Sequence, residues 1–142
     1  MAMAIQHQFE PCALPISELL FQTLLSQIEQ HSELGKTSIT LNFRDSAYSA
    51  EAGGYHPVEV SLQWTKSNTW LIQYITDFAY VGNVYPELER CVDFDVSTGQ
   101  VYLTGLGWTN IDRCEVRDFY QLWESNFLSY LTMGVYDDIK SS

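Results

Sequence analysis

Two alternating runs of hydrophobic and polar residues flank a glycine-bearing loop between Ile39 and Trp64, in the stretch ITLNFRDSAYSAEAGGYHPVEVSLQW. In the first run Ile39, Leu41 and Phe43 fall on one side and Thr40 and Asn42 on the other. In the second, Val58, Val60, Leu62 and Trp64 oppose Glu59, Ser61 and Gln63. Side chains alternate across a strand, so the two runs predict an antiparallel sheet with one buried and one wet face. Lys66-Ser67-Asn68 predicts a hairpin turn into a third run, Trp70 to Ala79, which is apolar on both sides. Trp70, Ile72, Tyr74 and Phe78 share one of its faces and Leu71, Ile75 and Ala79 the other. Such a strand belongs at the centre of a sheet or in an interface. Further on, Val92, Phe94 and Val96 alternate with Cys91, Asp93 and Asp95. Ser97-Thr98-Gly99 then turns the chain into Gln100 to Thr104, the clearest hairpin signal of the sequence.

Helical spacing appears on both sides of this sheet. Ser17 reads as an N-cap with Glu18 in the first turn, and Leu20, Phe21, Leu24, Leu25 and Ile28 form one stripe that Gly35 brings to a stop. A second helix is predicted from near Asp112, with Glu115 three residues on as an approximate capping box, to Gly134. Its face of Val116, Phe119, Tyr120, Trp123, Phe127, Tyr130 and Leu131 is wider than one sheet face needs. Phe119, Tyr120, Trp123 and Phe127 are therefore a candidate surface for self-association. The expected fold is α+β: an N-terminal helix, an antiparallel meander sheet of five to seven strands, and a C-terminal helix packed on the sheet. Residues 1–142 are expected to form a single domain, with 1–15 an irregular lead-in and 135–142 a loose tail.

Charge narrows the range of functions. The chain has 18 Asp and Glu against 7 Lys and Arg, a formal net charge of −11. Nucleic acids and anionic membrane surfaces are disfavoured as partners, because binding to either depends on Lys and Arg. A protein partner with basic surface is favoured, with steering that weakens in salt. The three cysteines, Cys12, Cys91 and Cys114, are widely spaced and contain no CxxC pattern. Neither a disulfide framework nor a zinc site follows from that spacing, and reduced thiols in the cytoplasm are expected. The first residues, MAMAIQHQFEP, carry neither a basic region nor an apolar core, so no signal peptide is expected, and no apolar run is long enough to span a bilayer.

No reaction motif emerges from the residues. Asp93-Phe94-Asp95 with Ser97 and Gly99 departs from a calcium loop, whose glycine and final glutamate fall elsewhere. His7, His31 and His56 are scattered; only His56, beside Gly54, Tyr55 and Pro57, merits a test, and a hydrogen bond holding its loop is the plainer role. No surrounding signature supports a Cys–His nucleophile. Catalytic, metal-ligating and cofactor-binding residues are accordingly not assigned. Glu59, Asp77, Asp93 and Asp95 form a candidate acidic sheet face for a partner, against the plainer reading of a solvated face. The long loop, with Asp45, Glu51, Tyr55 and His56, is a second candidate surface.

The segments NFRDSAYSAEAGGYHPVEV, YITDFAYVG and ELERCVDFDVSTGQVY together resemble a bacterial family, domain of unknown function 2787. The resemblance implies no activity and no catalytic residues. The layout of helix, consecutive antiparallel strands and helix on a very acidic chain is also similar to the mitochondrial acidic matrix proteins that bind complement. That likeness implies a sheet of about seven strands on terminal helices, assembled as ring-shaped trimers with charged faces. The expected function is a non-enzymatic acidic binding protein that self-associates, as dimer or trimer, and engages a protein partner. Two alternatives are a small acidic chaperone for a dedicated client and a hydrolase using the sheet carboxylates.

Overall fold

In the computed structural model, which describes residues 8–31, 33 and 35–142, the predicted alternation becomes one antiparallel sheet. Among the described residues the elements run α1 (Glu18–His31), β1 (Ser38–Arg44), β2 (Val58–Trp64), β3 (Trp70–Val81), β4 (Glu87–Asp95), β5 (Gln100–Leu103), β6 (Gly107–Asn110), α2 (Cys114–Met133) and β7 (Asp138–Ser141). The sheet order is β6-β5-β4-β3-β2-β1-β7, a meander closed at one end by the C-terminal strand. The α+β class and the meander are as the sequence predicts. His7 and most of the first half of the lead-in lie outside the described residues.

One face of the sheet is apolar and covered by both helices. Ile39, Leu41, Phe43, Val58, Val60, Leu62, Ile72, Ile75, Val92, Phe94 and Val101 are buried there with Leu20, Leu24 and Ile28 of α1. From α2, Tyr120 and Trp123 pack edge-on against Phe94, and Phe127 against Phe43, with ring centroids 5.1, 5.6 and 5.3 Å apart. Burying a side chain of this size contributes about 1.5–3 kcal/mol. The wide aromatic face of α2 is therefore consumed within the chain. Tyr120, Trp123 and Phe127 are buried and Phe119 half-buried against Phe94, which corrects the expectation that they form a surface for self-association. The sequence showed the width of the face but not that a seven-stranded sheet is broad enough to cover it.

Three local expectations also change. The predicted loose tail is instead β7, paired with β1 from Leu41↔Ser141 to Arg44↔Asp138, because the edge of β1 offers it a backbone ladder. Two short strands at the sheet ends, β6 and β7, complete the count of seven. In β3 the pairing steps from Ser61↔Tyr74 to Leu62↔Ile72, so Gln73 is an extra, unpaired residue. This bulge puts Ile72 on the buried face and Tyr74 on the opposite one, breaking the shared face assigned to them. Asp112 does not cap α2: Arg113 is the N-cap residue and makes no side-chain cap bond, while Asp112 N–H donates to Asn110 Oδ1. Gly134 closes α2 in the left-handed conformation, at φ 75°, as a glycine stop should.

A buried carboxylate ties the two helices together. Ser17 caps α1 by accepting the Leu20 N–H at Oγ, while its own N–H donates to Glu124 Oε2 of α2 at 3.1 Å. Tyr120, one turn earlier on α2, donates its hydroxyl to the same oxygen at 2.6 Å. Glu124 is only 5% exposed, yet its charge lies at the positive end of α1 with two donors. Burial, then the neighbouring Glu124 charge, pushes the Tyr120 hydroxyl pKa far up, so it stays a donor. Replacing Glu124 with Ala leaves both donors without a partner and is expected to lower the unfolding free energy by about 2–4 kcal/mol, with Gln costing less. Urea unfolding measures this, and a stability equal to wild type for Glu124→Ala would contradict the tie.

Candidate functional site

The strand register lays the polar side chains in straight rows across the uncovered face. One row crosses every strand: Lys140, Asn42, Glu59, Thr76, Asp93, Tyr102 and Trp108. The next holds Thr40, Ser61, Tyr74, Asp95, Gln100 and Asn110. Glu59 accepts the Tyr74 hydroxyl at 2.7 Å. Asp93 accepts Thr76 Oγ1 at 2.9 Å and Arg90 Nη1 at 3.0 Å. The Arg90 guanidinium also lies 5.5 Å over the Trp108 ring. Asp95 Oδ1 accepts Ser97 Oγ and the Thr98 N–H, fixing the β4–β5 turn. Burial raises the Asp93 carboxyl pKa, and the Thr76 bond and the Arg90 charge pull it back.

Asp77 does not belong to this acidic group. It pairs with Val58, two residues beyond buried Ile75, and so projects to the helix-covered face. Asp77 and Asp93 consequently lie on opposite sides of the sheet. A hydrolytic pair built from those two carboxylates is ruled out, since both must reach one reacting bond. Glu59, Asp93 and Asp95 remain together on the uncovered face.

Asp77 instead anchors a cleft of about 250 Å³ between the long loop, the sheet and α2. His56 Nδ1 lies 2.8 Å from Asp77 Oδ1, and Trp123 Nε1–H donates to Asp77 Oδ2 at 3.1 Å. Tyr55, Phe127, Asn126, Tyr130 and Tyr136 complete much of the wall. A second bulge supplies the other nearby donor. The pairing steps from Asp77↔Val92 to Phe78↔Arg90, leaving Cys91 as an extra residue. Atoms of His56, Asp77 and Cys91, one from each, all lie within 4.8 Å of one another. These are the residues that could hold a metal ion.

The loop that carries His56 is held by its own polar contacts. Asp45 accepts the Ala47 and Tyr55 N–H groups at its two oxygens, and Asp137 accepts both the N–H and hydroxyl of Ser46. The Ser46 bonds keep the Asp137 carboxyl below its usual range. Gly54, at φ +136°, passes so close that a Cβ would sit 2.9 Å from Asp45 Oδ2 and 3.0 Å from Tyr48 Cα. Tyr55 packs on Tyr130 with ring centroids 4.7 Å apart. Of the four loop candidates, Tyr55 and His56 line the cleft, Asp45 holds the loop behind them, and Glu51 stands exposed at the loop tip. Trp123 as a donor, Asn126 and Tyr136 in the cleft wall, and Cys91 beside Asp77, escape the reading of the sequence. The one usable signal was Trp123, an indole N–H that needs a partner when buried.

With this geometry in hand, comparison with known proteins defines the class. The chain belongs to the family described as "Protein of unknown function (DUF2787)", whose model matches residues 16–142. It is similar to a hypothetical protein from the Vibrio cholerae VSP-II pathogenicity island, with 43% identity over 94% of this chain and 98% of that one, at TM-score 0.86. It is also similar to a conserved hypothetical protein from the Vibrio cholerae VPI-2 pathogenicity island, with 45% identity over 94% and 99% of the two chains, at TM-score 0.80. That second protein is described as sharing structural homology with the human P32 protein. No curated protein matches the chain. Among the described residues, no helix is long and apolar enough to cross a membrane.

The Asp77 bond, and then its charge, raises the His56 pKa, and burial opposes this. A raised folded value means the pair stabilises the protein fully below the ordinary histidine range and loses that contribution as pH rises through the folded value. The ring is 39% exposed, so solvent screening keeps the effect small. In chelator-treated protein, Asp77→Asn is expected to lower the His56 pKa as followed by NMR, and to flatten the fall in stability on the alkaline side of the ordinary histidine range. An unchanged His56 titration would remove Asp77 as its partner.

Proposed function

We propose that the protein is a non-enzymatic binding protein whose uncovered sheet face engages a basic protein partner, and that it self-associates. The observation that supports this most is the grouping of Glu59 on β2 with Asp93 and Asp95 on β4, on either side of β3, on a face that neither described helix covers, on a chain of net charge −11. Asp93 adds weight. It is an 8% exposed carboxylate whose burial opposes its charge, and Thr76 and Arg90 both bond to it against that effect. Tyr74, Tyr102 and Trp108 flank the acids with aromatic surface of the kind enriched where proteins meet. The three unpaired thiols support a reducing, cytoplasmic setting.

A lysine-rich peptide serves as a defined probe of the face. Glu59→Gln with Asp95→Asn retains the hydrogen-bond acceptors but removes two charges. Affinity is expected to drop about three- to tenfold at low salt, with a shallower salt dependence and an unchanged unfolding curve. Equal affinity for the wild type and this variant would exclude the face as the binding surface.

Self-association draws its support from the far end of β3 and β4. These strands run on as a two-stranded ribbon beyond Asp77, where the pairing of β3 with β2 ends. Val81, Val84 and Tyr85 at its end are 47%, 77% and 85% exposed, an apolar group that water penalises. Sedimentation equilibrium is expected to give a dimer or trimer for the wild type and a monomer for Val84→Asp with Tyr85→Asp. A wild-type chain that remains monomeric at high concentration would refute this part of the proposal.

A further inference from the structure

We propose that His56, Asp77 and Cys91 bind one divalent transition-metal ion of the zinc class, with a coordination position left open to the cleft. One ring nitrogen, one carboxylate oxygen and one sulfur lie within 4.8 Å of each other, and they arrive from three separate segments: the end of the long loop, β3 and β4. Zinc-to-ligand distances of about 2.0–2.3 Å require tetrahedral ligands to stand about 3.2–3.7 Å apart. His56 Nδ1 and Asp77 Oδ1, at 2.8 Å, are already close to that spacing, so side-chain movement of about an ångström closes the set.

The surroundings suit an ion better than they suit a bare hydrogen bond. Trp123 Nε1–H donates to Asp77 Oδ2, which fixes the carboxylate and leaves Oδ1 to the histidine. Cys91 is the unpaired residue of a bulge, so its side chain is released from the alternation that would otherwise send it to the uncovered face. Bulges recur beside functional sites because they re-aim a side chain in this way. The thiolate and imidazole favour zinc, cobalt or a similar ion over magnesium or calcium, which take oxygen. With a neutral imidazole, one carboxylate and one thiolate, the charges balance a divalent ion, and binding releases the Cys91 thiol proton. The three protein ligands leave a fourth position for water or a small anionic ligand from the cleft. This site lies on the opposite side of the sheet from the acidic rows, so it stands or falls independently of the proposed partner surface.

The experiment uses the full chain, stripped of metal by a chelator and titrated with zinc and then cobalt. One ion per chain is expected. Cobalt should give the near-ultraviolet thiolate charge-transfer band together with the strong visible bands of tetrahedral coordination. Cys91→Ser should abolish the charge-transfer band and weaken zinc binding at least about tenfold, and His56→Gln should weaken it similarly. Cys12→Ser with Cys114→Ser should leave the spectrum intact. Circular dichroism confirms that each variant is folded. Absence of stoichiometric binding by the folded wild type overturns the proposal, and so does a charge-transfer band that survives Cys91→Ser.

Discussion

The alternation of side chains across a strand is the constraint on which the molecule turns, because it decides which chemistry meets the core and which meets solvent. It is obeyed through β1 and β2, where every second residue from Ile39 to Leu62 outside the loop is buried. It is interrupted at two points only along the long central pair. Gln73 resets the phase of β3, and Cys91 resets that of β4. After the first reset Ile75 and Asp77 face the helices, and Tyr74 and Thr76 face outward. After the second, Arg90 lies outward beside Asp93, while Cys91 comes near Asp77. A one-residue change of phase moves every following side chain to the other face, so these two residues set the composition of both faces.

Helix packing follows the same division. The inner face is continuous apolar surface, and α2 answers it with Tyr120, Trp123 and Phe127 while its outer side carries Leu122 and Met133, 61% and 66% exposed. Two carboxylates enter this interior, each matched by donors. Glu124 meets Ser17 and Tyr120, and Asp77 meets His56 and Trp123. Each is a carboxylate with donors on separate elements, so each fixes a distance between elements as well as satisfying its own charge.

Much of this architecture was legible in the residues because its signals are local. The β1 and β2 faces, the Ser97-Thr98-Gly99 hairpin, the Ser17 cap and the Gly134 stop each depend on a few neighbouring side chains. What was not legible depends on partners distant in sequence. A bulge leaves no mark in hydropathy, so plain alternation groups Asp77 with Glu59 and Cys91 with Asp93 and Asp95. The tail's residues 138–141 carry no strong strand pattern, and β7 forms because β1 leaves an edge that needs pairing. Trp123 and Phe127 read equally well as core or surface until the breadth of the sheet is known. His56 stands out within its loop, but its partner, 21 residues away, is not predictable from that loop.

The two faces are chemically separate yet mechanically joined at one residue. Along most of a strand, a change on one face leaves its neighbours on the other face in register, since adjacent side chains share only backbone. Cys91 is the exception. Because it is the extra residue, the local bend of β4 that brings its sulfur near His56 and Asp77 also turns Arg90 over Trp108 and against Asp93. Residues 90–93 of β4 thus carry the Arg90–Asp93 ion pair on the outer face and the Cys91 sulfur beside Asp77 on the inner one, within four consecutive positions.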